Sequence, residues 1–318
     1  MSTLIEHELS SIAPTKATVV TIGMFDGLHM GHQALIRHLV EQAHRKNALG
    51  VVVTFKQHPT ALLTPYETVP SLVSLDKRIH LIKSMSVDLI IPLTFSAELA
   101  MLRAQPFVET LQRDLKMQGL ILGWDFALGH QREGSLDTLH DLGQQMDFST
   151  EVVGPVKYQG SIVSSTAIRQ ALSLGDIATA NAMLTRPFCL DGTIVSGDGR
   201  GAKLGFPTAN LSVHPQQVLP ADGVYATCAA LEGQMLPAAT FIGTRPTFNG
   251  ITRIVEVHLL DFNGNLYNRS LKIDIIERLR GVQKFPDAQA LKSQISLDIA
   301  QIRRILSVHN CCVDPEKS

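Results

Sequence analysis

Strong charge of either sign is missing from this 318-residue chain: 28 Lys and Arg stand against 29 Asp and Glu, a net charge of −1. That balance lacks the basic excess of a general nucleic-acid binder, so any phosphate chemistry has to be local. A run of about 18 apolar residues is also missing, which excludes a membrane-spanning helix. The opening stretch MSTLIEHELSS carries Glu6 and Glu8 where a secretory leader needs positive charge and then an apolar core, so the chain reads as untargeted. The four cysteines, Cys189, Cys228, Cys311 and Cys312, form neither a CxxC pair nor a zinc spacing. They are expected to be unpaired thiols in a reducing cytoplasm. There is no internal repeat, no low-complexity tract and no GxxxxGK[ST] phosphate loop.

What is present is the composition of a soluble globular protein, 45% hydrophobic and 18% charged. The length suggests about two domains. In the first half, strand-like runs at 17–23, 50–55, 88–95, 119–124 and 151–154 alternate with segments of helical period. That alternation predicts a parallel sheet with helices on both faces, an α/β Rossmann-like domain. Between the first two strands, Leu35, Leu39 and Ala43 mark the apolar stripe of a helix over 33–48. Further helices are expected over 75–85 after a Ser74 cap, over 106–115 with proline in its first turn, and over 136–146. Residues 164–184 read as helical with a break at Gly175, and the domain boundary is placed at 186, giving domains 1–186 and 187–318.

Beyond it the pattern changes to short β runs at 188–196, 223–230, 236–243, 253–262 and 270–279, which predict a small antiparallel β-barrel or sandwich. Asn263 and Gly264, between the last two runs, predict a hairpin. A final amphipathic helix over 288–306 carries Leu291, Ile295, Ile299 and Ile302 on one stripe.

The chemistry-bearing residues fall into two groups. In TVVTIGMFDGLHMGHQALI a buried strand passes through Gly23, Phe25, Asp26, Gly27 and Gly31 into a helix, and His29 and His32 stand three residues apart at its start. Free N–H groups at a helix N-terminus after a parallel strand bind polyphosphate, and two imidazoles there can hydrogen-bond it as charge develops. A two-histidine metal site would need a third ligand, and none is evident nearby. In SIVSSTAIRQAL, Ser164, Ser165 and Thr166 open a helix and Arg169 follows one turn in, a second arrangement suited to phosphate.

GMFDGLHMGH, GWDFALGHQREG and VSSTAIR together resemble the adenylyltransferase domain of the prokaryotic bifunctional riboflavin kinase/FMN adenylyltransferases, or FAD synthetases. The resemblance implies that the histidine and SSTxIR motifs hold ATP phosphates, with His29, His32 and Arg169 catalytic and Gly23, Phe25, Asp26, Gly31, Ser165 and Thr166 binding ATP. It places Asp125, Phe126 and Gly129 beside nucleotide and flavin.

In the second half, GDGRGAKLGFPTANL lies between β runs, so its glycines are a weak dinucleotide signal. Within it, an extended PTAN puts Thr208 and Asn210 on one side, two neutral oxygens able to hold Mg²⁺ and phosphate. In RIVEVHLLDF, Val255, Val257 and Leu259 share one face, and Glu256 and His258 the other. A carboxylate so placed can take the proton of an alcohol nucleophile. These segments, with GVYA, IGTRPTF and VEVHLLDFNGNLY, resemble the riboflavin kinase domain of the same family, a six-stranded barrel. The resemblance implies Glu256 as base, Thr208 and Asn210 as magnesium residues, and Gly201, Gly205, Pro207, Thr208 and Asn210 as ATP-binding. Ala202, Phe241, Asn268 and Val282 replace the family's usual Arg, Asn, Gly and polar residue, and Gln57 and Leu128 replace a proline and an aromatic residue.

The implied function is a cytoplasmic bifunctional enzyme of FAD biosynthesis that makes FMN from riboflavin and ATP, then FAD and pyrophosphate from FMN and a second ATP. Small molecules and Mg²⁺ are its expected partners, without nucleic acid or membrane, and a monomer is the favoured state. The alternative left open is an FMN adenylyltransferase whose barrel is a weakened or inactive kinase that mainly binds flavin.

Overall fold

A computed structural model describes residues 4–63, 69–196, 201, 204–247 and 250–309. The chain divides into two compact units, Met1–Ser165 and Thr166–Ser318.

The first unit contains α1 (Leu4–Ser10), β1 (Thr18–Ile22), α2 (Met30–Arg45), β2 (Leu49–Phe55), α3 (Thr60–Leu63), α4 (Leu75–Lys83), β3 (Leu89–Leu93), α5 (Ala97–Met101), α6 (Ala104–Leu115), β4 (Met117–Gly123), α7 (Leu136–Met146) and β5 (Ser149–Val153). The short pair β6 (Lys157–Tyr158) and β7 (Ser161–Ile162) follows. Strands β1 to β5 form one parallel sheet in the order β3-β2-β1-β4-β5. Because side chains alternate along a strand, Val20, Val53 and Leu122 enter one core layer, with Val108 and Leu111 of α6, while Val19, Val52 and Ile121 enter the other with Leu39 and Ala43 of α2. Each large aliphatic group so buried stabilises by about 1.5–3 kcal/mol. The expected doubly covered sheet is therefore present, and Ser74 caps α4 through its hydroxyl as the sequence predicts.

The second unit opens with α8 (Ser165–Leu174), which starts at the division, and α9 (Ile177–Leu184), separated by Gly175 at φ 76° and capped by Asp176. Then come β8 (Phe188–Val195), β9 (Ala209–Val213), β10 (Gly223–Leu231), β11 (Gln234–Thr247), β12 (Gly250–Leu259), β13 (Ser270–Arg280) and α10 (Ala288–Val308). The six strands close an antiparallel barrel in the order β10-β11-β12-β9-β8-β13. Ile302 and Leu306 of α10 pack on Ala226 and Cys228 of β10.

This order corrects the hairpin expected at Asn263 and Gly264. Strand β12 pairs with β11 and β9, and β13 with β10 and β8, so the two strands flanking that turn are not neighbours. A turn signal reports that the chain reverses locally; here β8 and β9 occupy the place between the strands. Asn268, for which the resemblance implies glycine, takes φ 63°. Asparagine tolerates that left-handed conformation better than most side chains, which accounts for the exchange. Cys189 is buried and free, its thiol pushed up to about 12 by burial and neighbouring Asp274. Cys228 is disulfide-bonded, so the expectation of four unpaired thiols fails there. Ala202, Cys311 and Cys312 lie outside the described residues.

Candidate active sites

The first site is built where β1 ends and α2 begins. Strand β1 has β2 on one side and β4 on the other, with connections leaving in opposite directions, and ligands of such sheets sit beyond the carboxyl ends of the strands at that switch point. His29 is the N-cap of α2, and its Nδ1 accepts the backbone N–H of His32 at 3.4 Å. This cap starts the helix at Met30, three residues before the apolar stripe suggests. The two imidazoles stack with centroids 3.7 Å apart, and the Phe25 ring meets His32 edge-on at 5.2 Å. Glycine at 31 permits the stack, since a Cβ there would stand 3.2 Å from the His29 ring. Phe25, at φ 49°, lays its ring 3.2 Å from where a Cβ on Gly23 would lie.

Burial, followed by His29 and the Arg78 guanidinium, holds the His32 pKa well below the usual histidine value, so the ring is neutral near pH 7. His32 Nδ1 finds no protein partner. Asp26 is buried, and both its carboxylate oxygens accept the Leu72 N–H at 3.0 Å; Oδ1 also accepts from Val73. It anchors the loop. Ser165 donates its hydroxyl to the Asp26 carbonyl at 2.9 Å. Thr166 and Arg169 fall in the second unit, on α8. Asp125, Phe126 and Gly129 follow the carboxyl end of β4, where Phe126 N–H donates to Gly123 and Arg132 donates to the Asp125 carbonyl.

Arg78 is the residue that motif reading misses. It is 4% exposed and donates to the carbonyls of Met24 at 2.6 Å and Phe55 at 2.9 Å, tying the ends of β1 and β2 together. The available signal was its position one turn before buried Ile82 on α4.

The second site lies on the barrel. Glu256 of β12 stands opposite Asn210 of β9 on one side and Phe241 of β11 on the other. His258 Nδ1 lies 2.7 Å from the Pro207 carbonyl, and its ring meets Phe206 edge-on at 5.9 Å, which fixes the start of PTAN. Gly201 accepts the Phe206 N–H, and Gly205 lies exposed in the turn between them. A cavity of about 380 Å³ is lined by Thr208, Glu256, Phe206, Phe241, Phe285 and Val282, among others. Another of about 300 Å³ is lined by Pro207, Thr208, Phe262, Leu266 and Tyr267. Thr208 borders both and Glu256 only the larger.

Residues 11–167 match the family described as FAD synthetase, and residues 184–306 that described as riboflavin kinase. The bifunctional riboflavin kinase/FMN adenylyltransferase of Escherichia coli (strain K12) is 36% identical over 294 residues, 92% of this chain and 93% of that protein. That of Pseudomonas fluorescens is 37% identical over 292 residues, 91% and 93% of the two chains. The crystal structure of a Streptococcus pneumoniae protein named a macrolide-efflux protein superposes with a TM-score of 0.85 at 30% identity, covering 92% of this chain and 96% of that one. Among the described residues of the present chain, no helix is long and apolar enough to cross a membrane.

Proposed function

The chain belongs to the bifunctional riboflavin kinase/FMN adenylyltransferase family, and from that premise we propose how its two reactions divide between the two sites. It phosphorylates riboflavin to FMN and adenylylates FMN to FAD. Domains 1–186 and 187–318 are the proposed carriers of adenylyl transfer and phosphorylation, in a monomeric cytoplasmic enzyme.

In adenylyl transfer a phosphate oxygen of FMN attacks the α-phosphorus of ATP and pyrophosphate leaves. The nucleophile is already anionic, so no general base is needed, and catalysis is positioning plus charge stabilisation. His29 Nδ1 accepts the His32 N–H, so the neutral ring carries its proton on Nε2, the donor assigned here to phosphate. His32, neutral, lies against it. The Met30 and Gly31 N–H groups at the opening of α2 add donors. Thr166 and Arg169 keep the phosphate-holding roles that the SSTxIR motif implies.

In phosphorylation Glu256 takes the proton of the ribityl 5′-hydroxyl as that oxygen attacks the γ-phosphorus of ATP, and ADP leaves. The observation that carries this reading is Thr208 on the border of two cavities with Glu256 lining only the larger. The larger, walled by three phenylalanines, suits a flavin ring; the smaller, with Phe262 and Tyr267, suits adenine. The hydroxyl and amide oxygens of Thr208 and Asn210 are hard neutral donors, and the described residues hold no cluster of three or more His, Cys, Asp or Glu able to bind a metal. That set fits Mg²⁺ arriving with ATP phosphates and keeping waters. The ion would supply charge neutralisation of the transferred phosphoryl group.

The test is product analysis with riboflavin or FMN supplied separately with ATP and Mg²⁺. His32→Ala is expected to abolish FAD formation and leave FMN formation intact, and Glu256→Gln to do the reverse, by about 10²- to 10⁴-fold. Equal loss of both activities in either variant rejects independent sites. Wild-type protein that makes FAD from FMN but no FMN from riboflavin establishes the inactive-kinase alternative instead.

A further inference from the structure

One guanidinium outside the phosphate-facing residues organises a wall of the larger barrel cavity. Arg280, the last residue of β13, reaches α10: its Nε lies 3.1 Å from each Asp298 carboxylate oxygen and its Nη2 2.7 Å from Oδ2. Asp298 Oδ1 also accepts from Gln294 Nε2 at 2.9 Å, one turn earlier on the helix. Nη1 donates to the Gly281 carbonyl at 3.2 Å, and the guanidinium carbon stands 5.7 Å from the centre of the Phe285 ring, within cation–π range. The end of β13, the turn over 281–285 and α10 thus meet at a single planar fork. All three contribute residues to the 380 Å³ cavity that also holds Glu256.

The pair is not a surface ornament, since its side chains keep only 17% and 7% exposure. A bidentate fork fixes distance and angle together, which a point charge does not. α10 is also held by the apolar packing of Ile302 and Leu306 and by the exposed pair of Arg303 with Asp261, just after β12, at 2.7 and 2.8 Å. Both of those holds act toward the C-terminal end of the helix, whereas the cavity-lining Leu291, Ile295 and Ile299 lie nearer the turn that Asp298 anchors.

We propose that Arg280 and Asp298 are a positioning pair for riboflavin phosphorylation, setting the width of the flavin cavity by fixing α10 and the 281–285 turn against β13. The inference rests on the assignment of that cavity to the flavin.

Full-length Asp298→Asn and Arg280→Lys, assayed for FMN formation at saturating ATP, test it. Asp298→Asn is expected to raise the riboflavin KM tenfold or more while kcat changes less than threefold. Arg280→Lys, which keeps the charge and loses the fork, is expected to fall between. FAD formation from supplied FMN stays at the wild-type rate in both. A partly unfolded preparation lowers kcat without moving KM, so loss of stability alone does not imitate this result. A riboflavin KM within twofold of wild type in both variants overturns the proposal. Should Asp298→Asn fail to fold, Gln294→Ala leaves the ion pair in place and removes the support of Oδ1; its riboflavin KM must then rise at least threefold, and an unchanged value equally overturns the proposal. Glu256→Gln run alongside separates the two levels. If it retains FMN formation, the cavity assignment falls; if it loses FMN formation while the Asp298→Asn KM is unmoved, only the positioning role falls.

Discussion

The depressed pKa of His32 makes the first unit's stability depend on pH with a definite sign. In the folded chain, burial, the His29 ring and the Arg78 cation oppose protonation of His32. An unfolded histidine protonates near 6.5, so below that pH the unfolded chain binds a proton that the folded chain does not. Stability is then fully present above about pH 6.5 and falls as the pH drops, until the folded-state pKa is reached. For a ring that stays neutral in the folded state, integration from pH 7.5 to pH 5.5 gives a loss of about 1.4 kcal/mol. In a unit of this size that corresponds to roughly 3–5 °C in Tm. The chain's single tryptophan, Trp124, follows β4 in this unit, so its fluorescence reports this transition and not that of the barrel. The quantity to measure is the Tm of wild type minus that of His32→Gln at each pH, which cancels the other eleven histidines. It is expected to fall by those few degrees between pH 7.5 and pH 5.5. Parallel melting of the two proteins across that range refutes the assignment of a buried, neutral His32.

Two further substitutions separate packing from chemistry. Gly31→Ala is expected to favour α2 by up to about 1 kcal/mol through helix propensity, while its Cβ, 3.2 Å from the His29 ring, displaces that imidazole; FAD formation should fall at least tenfold with Tm unchanged or raised, whereas a variant with full activity shows that the stack is not needed. Ile302→Ala removes a fully buried side chain that holds α10 to β10. It should cost about 2–5 kcal/mol in denaturant unfolding of the barrel followed by circular dichroism, leaving the Trp124 transition in place.

Legibility in the sequence follows the range of the interaction involved. The parallel sheet could be read because its strands are buried on both faces and appear as unbroken apolar runs between helices of clear period. The HxGH stretch was legible as a strand-to-helix junction and PTAN as the entry to a strand because local backbone sets both. What escaped was set by distant partners. The anchoring role of Asp26 is one case: its carboxylate accepts the N–H groups of Leu72 and Val73, 46 and 47 positions away. Arg78 belongs to no motif, and it joins the ends of two strands. Asn263 and Gly264 mark a reversal correctly, yet no local signal says that β9 and not β13 lies beside β12. The stripe on α10 was legible as a stripe, but no local signal divides it between Ile302, buried on the barrel, and Leu291 and Ile295, which line the cavity.

The two sites also use histidine Nδ1 in opposite roles, and the backbone makes the choice in each. At the start of α2 the partner of Nδ1 is an N–H group, which can only donate; His29 Nδ1 is therefore unprotonated, and the neutral ring carries its proton on Nε2. On β12 the partner of Nδ1 is the Pro207 carbonyl, which can only accept, so His258 Nδ1 carries a proton. The first arrangement aims a donor at an anion, as phosphate binding requires. The second spends its donor on the chain itself, holding the residue that precedes Thr208. His29 is accordingly the imidazole suited to contact nucleotide and His258 the one suited to place the residues that do. The same side chain thus serves transfer directly in one unit and indirectly in the other.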